Sequence, residues 1–309
     1  MNVDTRMKCV VILSSKSSRS SILQRFITES SEARHIRHTR HFENGTLYWT
    51  KAASVLGLSQ LDMPDSEVPL PKAQARRELV ELLSTSVDHY TVPVDDFELV
   101  FSGWEELCKA YAPAMIEKSP HHLYQKSVLE LILEAARRTS TIDFHLVGLV
   151  RNPMSTLYSS WSRWRSLPEV QEQVWLTAYQ NLLDLKAQVG EMVSIIRYED
   201  LVTNPDVLKP VFNFLGVPAV SLERRGLHNR SLEHWKKDTR YGFSPSAELL
   251  ALAECYGYPR ENLSNSTHPL WPAQSQFVRS VHQSKVFMKT NVKAIRELVT
   301  RSARKGGAS

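Results

Sequence analysis

A serine-rich stretch near the N terminus carries residue types that bind phosphate groups. Ser14 to Ser21, with the sequence SSKSSRSS, follows the apolar run KCVVIL and precedes a segment with helical spacing. Between a strand and a helix, free backbone N–H groups and the helix dipole converge on an anion, while Lys16 and the hydroxyls add further donors. The glycines of the nucleotide triphosphatase motif G-x-x-x-x-G-K-[ST] are absent, which disfavours that class of loop. An ordinary helix N-cap is the alternative interpretation.

Two further polar residues follow a second predicted strand, Phe144 to Val150. Arg151 leaves the carboxyl end of this strand, where open α/β sheets bind ligands, and Pro153 suits the first turn of the next helix. Ser159 lies about two helical turns further on, so its hydroxyl is placed to contact the same anion. Alternatively, Arg151 caps its neighbours and Ser159 lies on a packed helix face.

A tyrosine beside two carboxylates follows a third predicted strand, Met192 to Arg197. The segment Arg197-Tyr-Glu-Asp-Leu201 places the ring of Tyr198 at this strand end. An ordinary turn, with Glu199 and Asp200 as the first residues of a helix, is the alternative.

One sheet is needed to bring these groups together, and the apolar pattern predicts it. Apolar runs alternate with segments of helical spacing, as in βαβ units, so we expect an α/β fold with a central parallel β-sheet flanked by helices. The predicted strands are Lys8 to Leu13, Ala114 to Ile116, Phe144 to Val150 and Met192 to Arg197. The predicted helices are Ser20 to Ser30, one that ends at Leu83, Leu123 to Arg138, Met154 to Trp164, Val170 to Gln188, Asp206 to Leu215 with Gly216 as its cap, Ser246 to Tyr256 and Val286 to Arg301.

Composition and charge narrow the class of protein. The chain has 309 residues, 42% hydrophobic and 23% charged, which is typical of a soluble globular protein and excludes collagen-like and disordered chains. No apolar run is long enough for a membrane span or a signal peptide, and Cys9, Cys108 and Cys255 form neither a disulfide framework nor a metal pair, so we expect a cytoplasmic protein. The net charge of +5 favours anionic ligands. Because the basic residues are dispersed, we expect neither a nucleic acid nor a membrane as partner.

The three motifs, in this order and spacing, resemble the sulfotransferases that use 3′-phosphoadenosine 5′-phosphosulfate (PAPS), over roughly residues 8 to 240. A fourth segment, Glu117-Lys-Ser-Pro-His-His-Leu-Tyr124, is similar to the Lys-Ser/Thr-Pro-x-His-Leu run of carbohydrate and bacterial members and to the Glu-Lys-Ser run of heparan sulfotransferases. The resemblance implies a P-loop-like sulfotransferase fold in which Arg151 and Ser159 bind the 3′-phosphate and Tyr198 lies against the adenine. It also implies a loop that binds the 5′-phosphosulfate, formed by Lys16, Ser17, Ser18, Arg19, Ser20 and Ser21.

The sequence departs from the family pattern at three places. Ser18 replaces the loop glycine, so we expect modest backbone strain if the loop requires a positive φ there. Aliphatic residues, Ile22 and Leu23, stand where the family has a tryptophan that stacks on adenine. The Arg-Lys-Gly phosphate loop has no clear copy, and the substitute that we favour contains Arg230, Lys236 and Lys237. A solvated basic turn is the alternative for these three residues.

The implied chemistry is the in-line transfer of SO₃ from the phosphosulfate to an acceptor oxygen or nitrogen. Charge builds on the departing phosphate, so Lys16 and the loop donors would stabilise the leaving group. A general base must take the acceptor's proton, and Glu117 is the first candidate because it stands at a predicted strand end and at the position that matches the catalytic glutamate of the heparan enzymes. His121 and His122 are the alternatives, since they titrate near neutral pH. An exposed pair of Glu117 with Lys118 remains a further interpretation.

A string of histidines, His35, His38 and His41, looks like a metal site. On a helix, however, residues spaced by three spread over about 120° of the helix surface and do not converge on one point, so we expect no metal.

We therefore predict one sulfotransferase domain over residues 1–309, in which segments 33–112 and 221–309 face the acceptor. The expected acceptor is a small molecule or a carbohydrate, and the sequence leaves the oligomeric state open. A noncatalytic nucleotide-binding or scaffold protein on the same fold is one alternative. A P-loop-class kinase is a second, which the missing glycines and the lack of an evident Mg²⁺-binding aspartate strand disfavour.

Overall fold

A four-stranded parallel sheet organises the chain. The computed structural model describes residues 6–37, 39–41, 45–217, 227, 232–265 and 268–284. Strands β1 (Met7–Leu13), β2 (Ala114–Lys118), β3 (Ile142–Val150) and β4 (Val193–Arg197) are ordered β2-β1-β3-β4. Every pairing is parallel, and β1 pairs with both β2 and β3. The predicted α/β fold with a central parallel sheet is confirmed.

The sheet is buried on both faces, as a parallel sheet must be. Cys9 to Leu13 of β1 are all fully buried, and they alternate between two apolar cores. Val11 and Leu13 belong to the larger core, and Val10 and Ile12 belong to the smaller core on the opposite face. This arrangement explains why the sequence shows continuous apolar runs rather than alternating ones.

Helices cover both faces of the sheet. Twelve helices lie within the described residues: α1 (Ser20–Glu29), α2 (Tyr48–Val55), α3 (Lys72–Ser86), α4 (Asp96–Ala110), α5 (Lys126–Arg138), α6 (Pro153–Trp164), α7 (Pro168–Val189), α8 (Tyr198–Thr203), α9 (Lys209–Leu215), α10 (His234–Lys237), α11 (Ala247–Cys255) and α12 (residues 271–284). None of the described helices combines the length and the apolar character that a membrane span requires.

Most predicted elements are present, with shifted ends that have local causes. The helix expected from Leu123 begins at Lys126, after a 3₁₀ turn over His122–Tyr124. The helix expected over residues 206–215 is divided into a 3₁₀ turn and α9, because Pro210 lacks the N–H that a continuous helix needs and stands instead in the first turn of α9. Gly216 ends α9 with φ 74°, as predicted. The predicted helix over residues 286–301 lies outside the described residues.

Two helices of the segment 33–112, α2 and α4, were not predicted. α2 has only eight residues, fewer than the window in which a helical period is recognised, and all eight are buried. Trp49 of α2 and Trp104 of α4 contact each other with ring centroids 4.6 Å apart. Both belong to the same apolar core as Leu13 of β1, which joins this segment to the sheet. The single-domain boundary of residues 1–309 stays a prediction.

Candidate functional site

The predicted motifs meet at one edge of the sheet. Because all pairings are parallel, the carboxyl ends of the four strands lie together. The serine-rich loop follows β1, Arg151 follows β3 and Tyr198 follows β4. This is the edge at which open α/β sheets bind ligands.

The serine-rich loop turns sharply through two residues with left-handed backbone. Ser17 has φ 64° and Arg19 has φ 71°, conformations that non-glycine residues adopt at some cost in energy. Ser18, where we expected the strain, is not among the residues with positive φ. The replacement of glycine by serine at this position therefore costs no left-handed strain, and the cost lies at its two neighbours.

A buried tyrosine on α7 holds the loop in place. The hydroxyl of Tyr179 donates to the Leu149 carbonyl at 3.0 Å, so its oxygen is left to accept from the hydroxyls of Ser18 at 3.0 Å and Ser15 at 3.2 Å. The Ser15 and Ser18 hydroxyls are also 2.7 Å apart. Burial raises the pKa of Tyr179, so it stays a neutral donor. Sequence analysis did not find Tyr179, because no local motif marks this position on a long buried helix.

Arg151 connects the second motif to the first. Its side chain is 1% exposed, and Nη1 donates to the Ser17 carbonyl at 2.8 Å. The guanidinium carbon lies 5.9 Å from the ring centroid of Tyr198. Burial, and then repulsion by Arg19, lowers the pKa of Arg151 to about 10, which leaves the group charged at neutral pH. The structure thus brings Ser17, Arg151 and Tyr198 together.

The serine that contacts the loop from α6 is Ser160 rather than Ser159. Ser160 is buried, and its hydroxyl donates to the Ser17 hydroxyl at 3.0 Å. Ser159 is half-buried on the neighbouring helix face, four residues after Ser155, whose hydroxyl donates to the Leu232 carbonyl. Ser160 was not singled out by the sequence, since the spacing of the motif points to its neighbour.

The third motif forms a short helix at the end of β4. Tyr198, fully buried, begins α8, and its hydroxyl has no hydrogen-bond partner among the described residues. Glu199 accepts from the Asn152 backbone N–H at 3.1 Å and from the Tyr258 hydroxyl at 2.6 Å. These bonds tie the end of β4 to the residue after Arg151.

Glu117 is enclosed at the end of β2. Its side chain is 1% exposed, and Oε1 accepts from the hydroxyls of Thr46 and Ser119, each at 2.6 Å. Oε2 lies 3.3 Å from Nδ1 of His122, which is fully buried. Burial acts to raise the pKa of Glu117, but His122 and the two hydroxyls outweigh it and lower the pKa below its ordinary value. Lys118 is also buried, so the interpretation of residues 117 and 118 as an exposed pair is wrong.

His121 faces the positively charged side of the site. It is half-buried, and its Nδ1 has no hydrogen-bond partner in the part of the chain that the structure describes. Burial, and then the charges of Lys16, His122 and other cations, lowers the pKa of His121 well below its ordinary value. The imidazole is therefore neutral at physiological pH.

Lys16 is covered by a loop from the segment 33–112. Its Nζ donates to the Asp65 backbone carbonyl at 2.9 Å. Burial lowers the pKa of Lys16, while Asp65 and Glu67 act in the opposite direction. The predicted phosphosulfate lysine is thus at the sheet edge, under residues 63–68.

The proposed substitute for the family's phosphate loop is only partly described. Arg230 lies outside the described residues. Lys236 forms an exposed ion pair with Glu233 at 2.9 Å. Lys237 lines a surface cleft together with Tyr158, His234, Asp238, Thr239 and Arg240. Tyr158 precedes Ser159, so this cleft adjoins the second motif.

The histidine string does not form the helix that we assumed. Residues 33–37 are extended or irregular, and Arg34 forms an isolated bridge with Met115. His41 lies between two carboxylates, 2.8 Å from Glu67 and 3.5 Å from Glu78, and His38 lies outside the described residues. Within the described residues, no group of three or more potential metal ligands is found.

Comparisons with known proteins point to one family. A family model described as "Sulfotransferase family" matches residues 10–221. No curated protein matches the chain. The chain is similar in structure to the sulfotransferase domain from the curacin biosynthetic pathway, with 19% identity and a TM-score of 0.54, covering 82% of this chain and 98% of that one. It also matches the sulfotransferase domain from the Synechococcus PCC 7002 olefin synthase, with 18% identity and a TM-score of 0.48, covering 84% of this chain and 97% of that one. At this identity the first likeness shows a shared fold.

Proposed function

The chain belongs to the sulfotransferase family, and from this premise we propose that it transfers a sulfuryl group from PAPS to a hydroxyl or amine of a small-molecule or carbohydrate acceptor. The observation that carries the proposal is the contact of Arg151 with the backbone of Ser17, beside the ring of Tyr198. Three segments far apart in sequence thereby form one polar site. Such a site suits a nucleotide with phosphates at two positions.

The donor is proposed to lie along the carboxyl edge of the sheet. The loop residues Lys16, Ser17, Ser18, Arg19, Ser20 and Ser21 would bind the 5′-phosphosulfate, because backbone N–H groups at the start of α1 attract anions. Arg151 and Ser159 would bind the 3′-phosphate, with Arg230, Lys236 and Lys237 as further cations. Tyr198 would contact the adenine. Its buried hydroxyl, without a partner in the described part of the chain, supports a ligand at this point.

Lys16 is proposed to stabilise the leaving group. As the bond between sulfur and the bridging oxygen breaks, negative charge grows on the phosphate, and a nearby ammonium group favours this charge. The burial that lowers the pKa of Lys16 also removes water, which strengthens the interaction with an anion. No metal is needed for this step.

Glu117 and His122 are proposed to form one acid–base unit that takes the acceptor's proton. Both hydroxyl donors bind Oε1 of Glu117, so Oε2, which faces His122, is the oxygen that is left to accept a proton. Nδ1 of His122, 3.3 Å from this oxygen, is close enough to exchange a proton with it. His121 is the alternative base, since Nδ1 of its ring has no hydrogen-bond partner in the described part of the chain and is left to accept a proton.

We propose a cytoplasmic location because the three cysteines are free thiols. Cys9 and Cys108 are buried and free, and Cys255 is exposed and free. Free thiols persist in a reducing compartment.

The proposal is tested by incubating the chain with PAPS labelled with ³⁵S and a panel of sugar, phenol, alcohol and amine acceptors. We expect label in one class of acceptor, and loss of the transfer in Lys16→Ala. If no acceptor is labelled although the donor binds, a noncatalytic nucleotide-binding or scaffold function is favoured instead.

A further inference from the structure

A small loop, residues 63–68, lies over the donor lysine. The Met63 backbone N–H donates to the Val68 carbonyl at 3.1 Å, which closes the loop. Asp65 stands at its tip, where the backbone carbonyl accepts from Nζ of Lys16. The ammonium group that is proposed to act on the phosphosulfate is therefore engaged by this loop.

An ion pair with α12 holds the tip in position. Arg279 donates to the Asp65 carboxylate through Nη2 at 3.0 Å and Nη1 at 3.3 Å. The two side chains are 18% and 30% exposed, respectively. Arg279 also donates to the Arg165 carbonyl, which follows α6. The loop is thus fastened to the helix that carries the second motif.

The base of the loop fills an apolar hollow. Met63 and Val68 are buried against Leu47, Val174 and Tyr124, in a cluster that is separate from the two main cores. Small clusters of this kind form under surface loops.

This hollow adjoins the proposed base. The Leu47 backbone N–H donates to Ser119, whose hydroxyl contacts Glu117. Tyr124 belongs to the same 3₁₀ turn as His122. The loop therefore extends from Lys16 at its tip to the surroundings of Glu117 and His122 at its base.

An acceptor must occupy the same space. In-line transfer requires the acceptor oxygen close to the sulfur, which is near Lys16, and its proton within reach of the base. We propose that loop 63–68 is a plug in the acceptor site, that the donor phosphosulfate displaces it by taking Lys16 from Asp65, and that the acceptor is an alcohol whose apolar body replaces Met63 and Val68. This inference rests on the proposed function and narrows the acceptor to apolar compounds.

The plug lowers the apparent affinity for any donor that needs Lys16. If a ligand binds only the open state, its apparent affinity is its affinity for that state multiplied by the fraction of molecules that are open. A nucleotide without a 5′-phosphate does not reach Lys16, so its affinity is independent of the plug. Adenosine 3′,5′-bisphosphate and adenosine 3′-monophosphate therefore form a matched pair of probes.

The test is calorimetric titration of the native chain and Arg279→Gln with both nucleotides. The substitution releases Asp65, and bisphosphate binding should tighten about two- to fivefold, since a partly exposed ion pair contributes little stability. Binding of the monophosphate should be unchanged. Arg163→Gln, which removes an exposed arginine from α6, is the matched control and should alter neither affinity.

Two further measurements address the loop and the acceptor. Bisphosphate should increase amide hydrogen exchange of residues 63–68 in the native chain, because the plug is withdrawn. With labelled PAPS, long-chain aliphatic alcohols should accept the sulfuryl group in preference to glucosamine.

The possible outcomes distinguish a failure of the plug proposal from a failure of the proposed donor site. Bisphosphate binding that is unchanged or weaker in Arg279→Gln, or protection of residues 63–68 on binding, would overturn the plug and leave the proposed function intact. If glucosamine is the preferred acceptor, the proposal of an apolar acceptor is wrong. If the native chain binds neither nucleotide, the proposed function itself fails, and the plug with it.

Discussion

Nη1 of Arg151 donates to the backbone carbonyl of Ser17 at 2.8 Å, across 134 positions of the sequence. This bond joins the end of β3 to the loop after β1. Arg151 is 1% exposed, and its bond to the backbone carbonyl also holds its positive charge beside the ring of Tyr198. The two strand ends and the loop between β1 and α1 therefore form one connected structure.

Arg151→Ala should weaken binding of adenosine 3′,5′-bisphosphate far more than binding of adenosine 5′-monophosphate. Loss of a charge-assisted hydrogen bond to the 3′-phosphate costs about 1.5 to 3 kcal/mol. Calorimetry with both nucleotides measures the difference, and Arg163→Ala serves as the exposed control on α6. An equal loss for the two nucleotides would assign Arg151 a purely structural role through Ser17.

Lys16→Ala should lower turnover strongly while unfolding remains cooperative, because Lys16 is half-buried on a loop and belongs to neither apolar core. Turnover with labelled PAPS and urea denaturation measure the two properties. Lys72→Ala, at an exposed position of α3, is the control and should retain full turnover. If Lys16→Ala keeps most of its activity with every acceptor, Lys16 is not the phosphosulfate lysine.

Glu117→Gln preserves the shape of the side chain and removes its basicity. Turnover should fall roughly 10²- to 10⁴-fold with little change in donor affinity, which is the usual contribution of a positioned base. His122→Ala should show a comparable loss if the two residues act as one unit. Near-normal turnover of Glu117→Gln beside an inactive His121→Ala would transfer the role to His121 and leave the sulfotransferase assignment intact.

Glu117 should also contribute to the acid sensitivity of the fold. Its folded-state pKa is lowered, so its charged form adds stability above the ordinary pKa of a glutamate, and this contribution is lost as the pH falls through the folded-state value. Urea denaturation at pH 7 and pH 4 should show a smaller loss of stability for Glu117→Gln than for the native chain. Glu130→Gln, at an exposed position of α5, is the control. If the stability of Glu117→Gln and of the native chain depends on pH in the same way, the pKa of Glu117 is not lowered in the folded state.

Tyr179→Phe should reduce both stability and donor affinity. The change leaves the buried Leu149 carbonyl without its donor, at a cost of about 1 to 3 kcal/mol, and releases the hydroxyls of Ser15 and Ser18. Tyr256→Phe is a matched control, because its hydroxyl donates to the Tyr179 backbone carbonyl at 2.6 Å without contacting the loop. Tyr256→Phe should lose stability and keep donor affinity. Equal donor affinity in both variants would exclude a positioning role for Tyr179.

The residues that follow the strands and form the site were predictable from the sequence for a simple physical reason. Parallel strands bring their carboxyl ends to one edge, so a buried apolar run followed by polar residues is enough to place Lys16, Arg151 and Tyr198 near each other. Residues 9–13 of β1 and 146–150 of β3 contain no polar side chain, which made these strands easy to identify.

Contacts between distant segments were not predictable. Thr46, Asp65 and Tyr179 reach the site across 71, 49 and 164 positions, and nothing in their local sequence distinguishes them from ordinary polar residues. Periodicity also fails for a helix as short as α2, because eight residues are too few to show a helical period. The distinction between Ser159 and Ser160 depends on the rotation of α6, which a motif does not specify.

The most direct measurement of the central claim is calorimetric titration of the native chain with adenosine 3′,5′-bisphosphate and, separately, with ATP and Mg²⁺. The account predicts saturable binding of the bisphosphate at one site per chain and no measurable binding of ATP. Binding of ATP with no response to the bisphosphate would contradict it and favour the kinase class.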